Sequence, residues 1–171
     1  MNNGYAYSLF ELGLENKNID LVFDAFKDFY ENYQANKDLS LYLESLVIDA
    51  KEKKELIEKI LVDVPLDFKY FLFVLADNDE YKHLEEIYLD FKKGYYDFAH
   101  KKEVVILSKE KIKDDERMTI KNLLDKKYPD DEIIIVEKLS QDIIDGFEIY
   151  VDNKKISASL KALLDDFKIR F

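Results

Sequence analysis

Glu80 and His83 stand three apart, the spacing of one half of a di-iron helix motif, and are the first residues to test for chemistry. That motif has to occur twice, and the other histidine, His100, has no glutamate three residues before it. His83 therefore reads as a surface histidine. Ser108, Ser140, Ser157 and Ser159 lie outside any nucleophile elbow, and turn or cap roles explain Ser140 and Ser157. The acid pairs Asp114-Asp115 and Asp130-Asp131 fit helix-start and loop charges better than general acid-base catalysis. None of the four glycines, Gly4, Gly13, Gly94 and Gly146, lies in a phosphate-cradling loop or a dinucleotide fingerprint. With no cysteine there is no disulfide or thiolate chemistry. The residues predict no catalytic site, no metal and no cofactor, so the elements that carry them have to be read for binding.

From Tyr5 to about Ala99 the apolar period is helical. Ile19, Val22, Phe23, Phe26, Tyr30 and Tyr33 share one face, and Leu84, Ile87, Tyr88, Phe91, Tyr95 and Phe98 share another. Between them, Asp38 or Ser40 is placed to cap a helix through Leu46. Lys51 to Leu61 carries Leu56, Ile57, Ile60 and Leu61 on one side, and Leu66 to Ala76 follows Pro65. The expectation is an α+β protein, with a six-helix bundle over residues 1–100 followed by a small α/β domain over residues 101–171. In the second part Glu103 to Leu107 and Glu132 to Val136 read as strands. Lys113 to Lys127 reads as a helix with Ile120, Leu123 and Leu124 inward, ended by Tyr128-Pro129-Asp130. Phe147, Ile149 and Val151 alternate with Glu148 and Tyr150, Asp152-Asn153 supplies a tight turn, and Lys154 to Ile156 returns. Ser157 then caps a closing helix with Leu160, Leu163, Leu164 and Phe167 on one stripe.

Charge separates the same two parts. Of a net −11, residues 1–100 carry 11 Lys+Arg against 21 Asp+Glu, whereas residues 101–171 carry 15 against 16. An acidic first part repels nucleic-acid phosphates and suits a basic or amphipathic partner. No apolar run approaches the roughly 18 residues of a membrane span, so any membrane association runs through partners. The start, MNNGYAYSLFELG, has neither a signal peptide's basic and apolar regions nor the Arg- and Ser-rich character of a transit peptide, which predicts a cytoplasmic protein.

The order turn, strand, acidic turn, Ser-x-x-x-Leu helix over Leu139 to Phe167 resembles the carboxyl-terminal signature of the delta subunit of F-type ATP synthases, called the oligomycin-sensitivity-conferring protein in mitochondria. Ile144-Asp145-Gly146-Phe147 stands for the family's hydrophobic-Gly-Gly-apolar turn, with Asp145 in place of the first glycine. Ser157-Ala158-Ser159 replaces the usual Asp-Gly-Ser. Tyr5-Ala6-Tyr7-Ser8-Leu9-Phe10-Glu11-Leu12-Gly13 is similar to the family's opening Tyr-Ala-x-Ala-Leu-Phe-x-Leu-Ala. Leu75-Ala76-Asp77-Asn78-Asp79-Glu80-Tyr81 is similar to its Leu-Ala-Glu-Asn-Gly-Arg-Leu, with Asp79-Glu80 in place of Gly-Arg. The resemblance spans nearly the whole chain.

That resemblance implies a non-catalytic stator subunit, present once in a hetero-oligomeric complex and held peripherally on the cytoplasmic side of a bacterial membrane. It implies that the helical domain grips amino-terminal helices of alpha subunits between its first and fifth helices, where Tyr5, Ser8, Leu12, Val74 and Asn78 match. The second domain would bind the ends of the b subunits through Gly146 to Leu164, with Phe147 and Ile149 as candidates. A free-standing helical adaptor for another amphipathic helix is the alternative, and the ordered α/β tail is the feature that discriminates against it.

Overall fold

In the computed structural model, which describes residues 3–143, 147–152 and 154–155, the first helix, α1 (Gly4–Glu15), begins where Asn3 turns its side-chain oxygen onto the amides of Tyr5 and Ala6, at 2.9 and 3.3 Å. This satisfies donors that have no partner within the helix. The chain divides into two units, Met1–Tyr95 and Tyr96–Phe171.

The first unit continues with α2 (Ile19–Ala35), α3 (Lys37–Glu44), α4 (Ala50–Ile60), α5 (Leu66–Asp77), a single 3-10 turn (Tyr81–His83) and, as far as Tyr95, α6 (Leu84–Phe98). Its core is aromatic. Phe26, fully buried on α2, has its ring centroid 5.2 to 5.5 Å from those of Phe68, Phe71, Tyr88 and Phe91. Tyr30 stacks on Tyr88 at 4.1 Å and Phe23 on Tyr95 at 4.0 Å. Tilted and stacked ring pairs of this kind add to the stability from area burial alone. Burial also pushes the Tyr33 hydroxyl well above the ordinary tyrosine range, helped by Glu44, to which it donates a hydrogen bond.

The expected fold, a six-helix amino-terminal bundle followed by a small α/β domain, is corrected by this arrangement. The described residues form an α+β structure of seven α-helices and a four-stranded mixed sheet. The helices are unequal: α2 runs 17 residues, whereas α3 runs 8 and buries only Leu43. The rest of the unit is packed around α2 and α5, with a 3-10 turn breaking the approach to α6. Periodicity reports that a face is apolar but not which neighbour covers it, so six periodic segments did not amount to one regular bundle. The third helix also starts earlier than expected. Asn36, not Asp38 or Ser40, caps it, accepting from the amides of Asp38 and Leu39 at 3.1 Å.

In the second unit β1 (Lys101–Ser108) lies in the middle of a sheet ordered β2-β1-β3-β4, with β2 (Glu132–Leu139) parallel to it and β3 (Phe147–Val151) antiparallel. A parallel pair needs a crossover, and α7 (Asp114–Lys127) supplies it. Acidic residues Asp114, Asp115 and Glu116 open α7, and Lys126 and Lys127 close it, as the helix dipole favours. Val104, Ile106, Ile120, Leu124, Ile133, Ile149 and Val151 form the core. The strand β4 (Lys154–Lys155) pairs with β3, and Asp152 at the turn has φ 49°, the left-handed conformation the hairpin requires. The expected glycine turn at Ile144-Asp145-Gly146, Asn153, and the closing helix from Ser157 lie outside the described residues.

Candidate partner-binding groove

Helix α5 reads LDFKYFLFVLAD and is apolar nearly all round, the pattern of a helix buried on every side. It is not. Phe68, Phe71, Leu72, Leu75 and Ala76 enter the core, yet Leu66, Tyr70 and Val74, spaced by four, are 62, 57 and 45% exposed. Helix α1 packs against α5. Its Ala6, Leu9, Phe10 and Gly13 face inward, while Ser8 and Leu12 are exposed and Tyr5 is half-buried. Two neighbouring helices thus leave apolar groups uncovered.

The end of α1 is tied to the start of α5. One carboxylate oxygen of Asp67 accepts the side-chain amides of Asn16 at 3.0 Å and Asn18 at 2.8 Å. At the other end of α5, Lys54 holds Asp77 at 2.5 and 2.6 Å, and Lys53 holds Asp79 at 2.9 Å. The polar groups beside the apolar stripe are turned inward on their own helices. Ser8 donates to the carbonyl of Gly4 at 2.9 Å, and the Asn78 amide donates to the carbonyl of Val74 at 2.8 Å. The large apolar groups that the two helices leave exposed include Leu12 on α1 and Leu66, Tyr70 and Val74 on α5. Such a surface can receive the apolar face of an amphipathic helix.

Tyr5, Ser8, Leu12, Val74 and Asn78 all lie on α1 or at α5 and its end. Leu66 and Tyr70 were missed by sequence reasoning. The available signal was the four-residue repeat Leu66, Tyr70, Val74 on a helix whose opposite face already fills the core. In the second unit Phe147 is half-buried against the sheet core, and Ile149, at 5% exposure, is part of that core and supports β3 from within. Lys102 joins Asp131 at 3.3 Å and Asp152 at 3.9 Å. Burial pulls its ammonium toward a lower pKa, but these carboxylates outweigh that and hold it above the ordinary lysine value.

His83 is half exposed, 4.0 Å from Glu80 and 3.9 Å from Glu86. Among the described residues no group of three or more His, Cys, Asp or Glu is placed to hold a metal ion. No described helix is long and apolar enough to cross a membrane.

The family model described as ATP synthase delta (OSCP) subunit matches residues 1–171. The ATP synthase subunit delta of Clostridioides difficile (strain 630) is 29% identical over 172 residues, covering 97% of this chain and 92% of that protein. The same subunit of Staphylococcus haemolyticus (strain JCSC1435) is 24% identical, covering 99% and 95%. Among solved structures, a chain of the Toxoplasma gondii mitochondrial ATP synthase hexamer shares the fold with a TM-score of 0.78 at 11% identity, over 97% of this chain and 94% of that one.

Proposed function

Because this chain belongs to the ATP synthase delta (OSCP) subunit family, we propose that it is a stator link, joining the catalytic head of a bacterial ATP synthase to the peripheral stalk. The unit of residues 1–95 grips the amphipathic amino-terminal helix of an alpha subunit in the groove of α1 and α5. The unit that follows takes the ends of the b subunits, which carry the membrane anchorage that this chain reaches only through partners. The task is mechanical. Rotation of the central shaft applies torque to the head, and a head free to turn with the shaft makes no ATP. A link of nanomolar tightness corresponds to roughly −12 kcal/mol per contact.

The observation that carries this reading is the uncovered stripe Leu66, Tyr70 and Val74 on α5, together with exposed Leu12 on α1, the helix that packs against it. An exposed apolar row on an otherwise core helix exposes surface that a bound helix removes from water, at about 25 cal/mol per Å². The test is calorimetric titration of the full chain with a peptide spanning the amino-terminal helix of the same organism's alpha subunit. Saturable binding that is lost in Val74→Asp supports the assignment. Absence of binding to both the peptide and the intact head overturns it.

A further inference from the structure

Helix α5 ends in a left-handed residue that is not glycine. Asp79 has φ 54°, its amide donates to the carbonyl of Ala76 at 3.4 Å, and the amide of Glu80 donates to the carbonyl of Leu75 at 2.9 Å. This is the double bond pattern of a Schellman end, whose left-handed position is most often glycine because any Cβ there is crowded. Helix α1 closes the same way on Lys17, φ 55°, with amide bonds from Lys17 to Leu14 at 3.1 Å and from Asn18 to Gly13 at 3.0 Å. The backbone strain at the two positions is alike, but the side chains are not. Both residues are exposed, but Asp79, its side chain 51% exposed, pairs with Lys53, whose side chain is 0% exposed and whose Nζ stands 2.9 Å from Asp79 Oδ1.

A buried ammonium without a counter-charge is costly, and removing one partner of such a pair costs far more than removing both. We infer that Asp79 is a positioning residue: it holds a left-handed backbone for the sake of its carboxylate, which pairs with buried Lys53 and fixes the end of α5, and with it the groove residues Val74 and Asn78. The neighbouring pair, Lys54 with Asp77, repeats the grip one residue before Asn78. Two successive lysines of α4 thereby hold two carboxylates that flank Asn78. Asn78 in turn is tied to Val74 through two donors on one carbonyl, its backbone amide at 3.2 Å and its side-chain amide at 2.8 Å. Displacement of Asp79 is passed directly to that carbonyl.

The role in partner binding rests on the stator reading above; the positioning of the helix end does not, and the experiment separates them. The variants Asp79→Gly, Lys17→Gly and the double change Lys53→Met with Asp79→Gly are compared with the unchanged protein by urea midpoint, by hydrogen exchange at the Glu80 amide, and by titration with the alpha-subunit peptide. Lys17→Gly relieves strain and raises the midpoint. Asp79→Gly relieves the same strain yet lowers the midpoint, speeds exchange at Glu80 at least tenfold, and weakens the peptide at least tenfold at a temperature where the variant is fully folded. The double variant, which removes the stranded ammonium as well, recovers most of the midpoint but keeps fast exchange at Glu80 and weak peptide binding, because the tie that fixes the end of α5 is gone. If Asp79→Gly does not fold, Asp79→Asn, which keeps the side-chain volume and tolerates the left-handed region, is expected to shift all three readouts the same way. An Asp79 variant that behaves like Lys17→Gly, with exchange at Glu80 unchanged, overturns the inference. A shift in exchange and midpoint, when the unchanged protein itself fails to bind the peptide, supports the positioning role and counts against the stator reading instead.

Discussion

Gly13 sits so close to Ile19 that a Cβ at residue 13 would stand 2.8 Å from Ile19 Cδ1 and 3.2 Å from its Cα. The first contact can be relieved by a side-chain rotation; the second is backbone and cannot. The start of α2 is therefore set against the last turn of α1 more tightly than a Cβ is ordinarily packed. Gly13→Ala gains about 1 kcal/mol of helix propensity and meets crowding of about 1–3 kcal/mol. The expected outcome is a net loss of stability of about 1 kcal/mol, read as a lower urea midpoint with an unchanged slope.

The exposed stripe makes a cleaner target, because its residues do not hold the fold. Tyr70→Ala is expected to change stability by less than about 0.5 kcal/mol, as for most exposed positions. Its affinity for the alpha-subunit peptide should fall at least tenfold, as an aromatic anchor in a groove predicts. Calorimetry and thermal unfolding on the same sample check both halves.

Asp67 gathers two asparagine amides on one oxygen, and the Oδ1 of Asn18 is buried without a hydrogen-bond partner of its own. Asp67→Ala leaves a partly buried amide unpaired, at a cost of about 1–3 kcal/mol. The junction of α1 with α5 should loosen, and faster amide exchange at Asn16 and Asn18 is the measurement that shows it.

Alkaline pH should unfold the protein through its tyrosines. Burial pushes Tyr96 from 10.0 to about 12, helped by the charges of Glu103 and Glu132, and burial raises Tyr33 and Tyr81 as well. The unfolded tyrosine ionises near 10 and the folded one later, so between those values the unfolded chain has lost a proton that the folded one keeps. Stability from Tyr96 is thus whole below pH 10 and declines as pH rises to about 12. Tyr96→Phe should flatten that decline, followed as urea midpoints against pH.

On the stator reading, the acidic excess of the first hundred residues would attract a basic face on the alpha-subunit helix. Binding of the alpha-subunit peptide should weaken modestly as salt rises, since screening acts on the charges and leaves apolar burial intact. An affinity that does not change with salt would remove the electrostatic part of the account.

Much of the fold could be read from the apolar period. Ile19, Val22, Phe23, Phe26, Tyr30 and Tyr33 are all buried, as are Leu84, Ile87, Tyr88, Phe91 and Tyr95. Phe98, read onto the same face, is 51% exposed. In α4 only Ile57 of its expected apolar face is buried, because Leu56, Ile60 and Leu61 line an open cleft of about 910 Å³ with Phe29, Leu39 and Tyr42. Period alone cannot tell a covered face from an open one. Nor could it find Lys53, a lysine on a lysine-rich helix that turns out fully buried, since its partner is Asp79, twenty-six residues away. The departure of Asp79 from the family's glycine was visible in the sequence. That it keeps the glycine's left-handed backbone while acquiring an ion pair required coordinates.

The placement of β1 between β2 and β3 has a consequence in time. The core of the first unit is closed by residues up to Tyr95, so on a ribosome it can fold while the remainder is still being made. The strand β1 meets its parallel neighbour once Leu139 is out, but its antiparallel edge stays bare until Val151 emerges. During synthesis the nascent chain therefore carries a finished helical unit followed in sequence by a strand with an unsatisfied hydrogen-bonding edge, and in that interval the edge is open to pairing with the wrong chain.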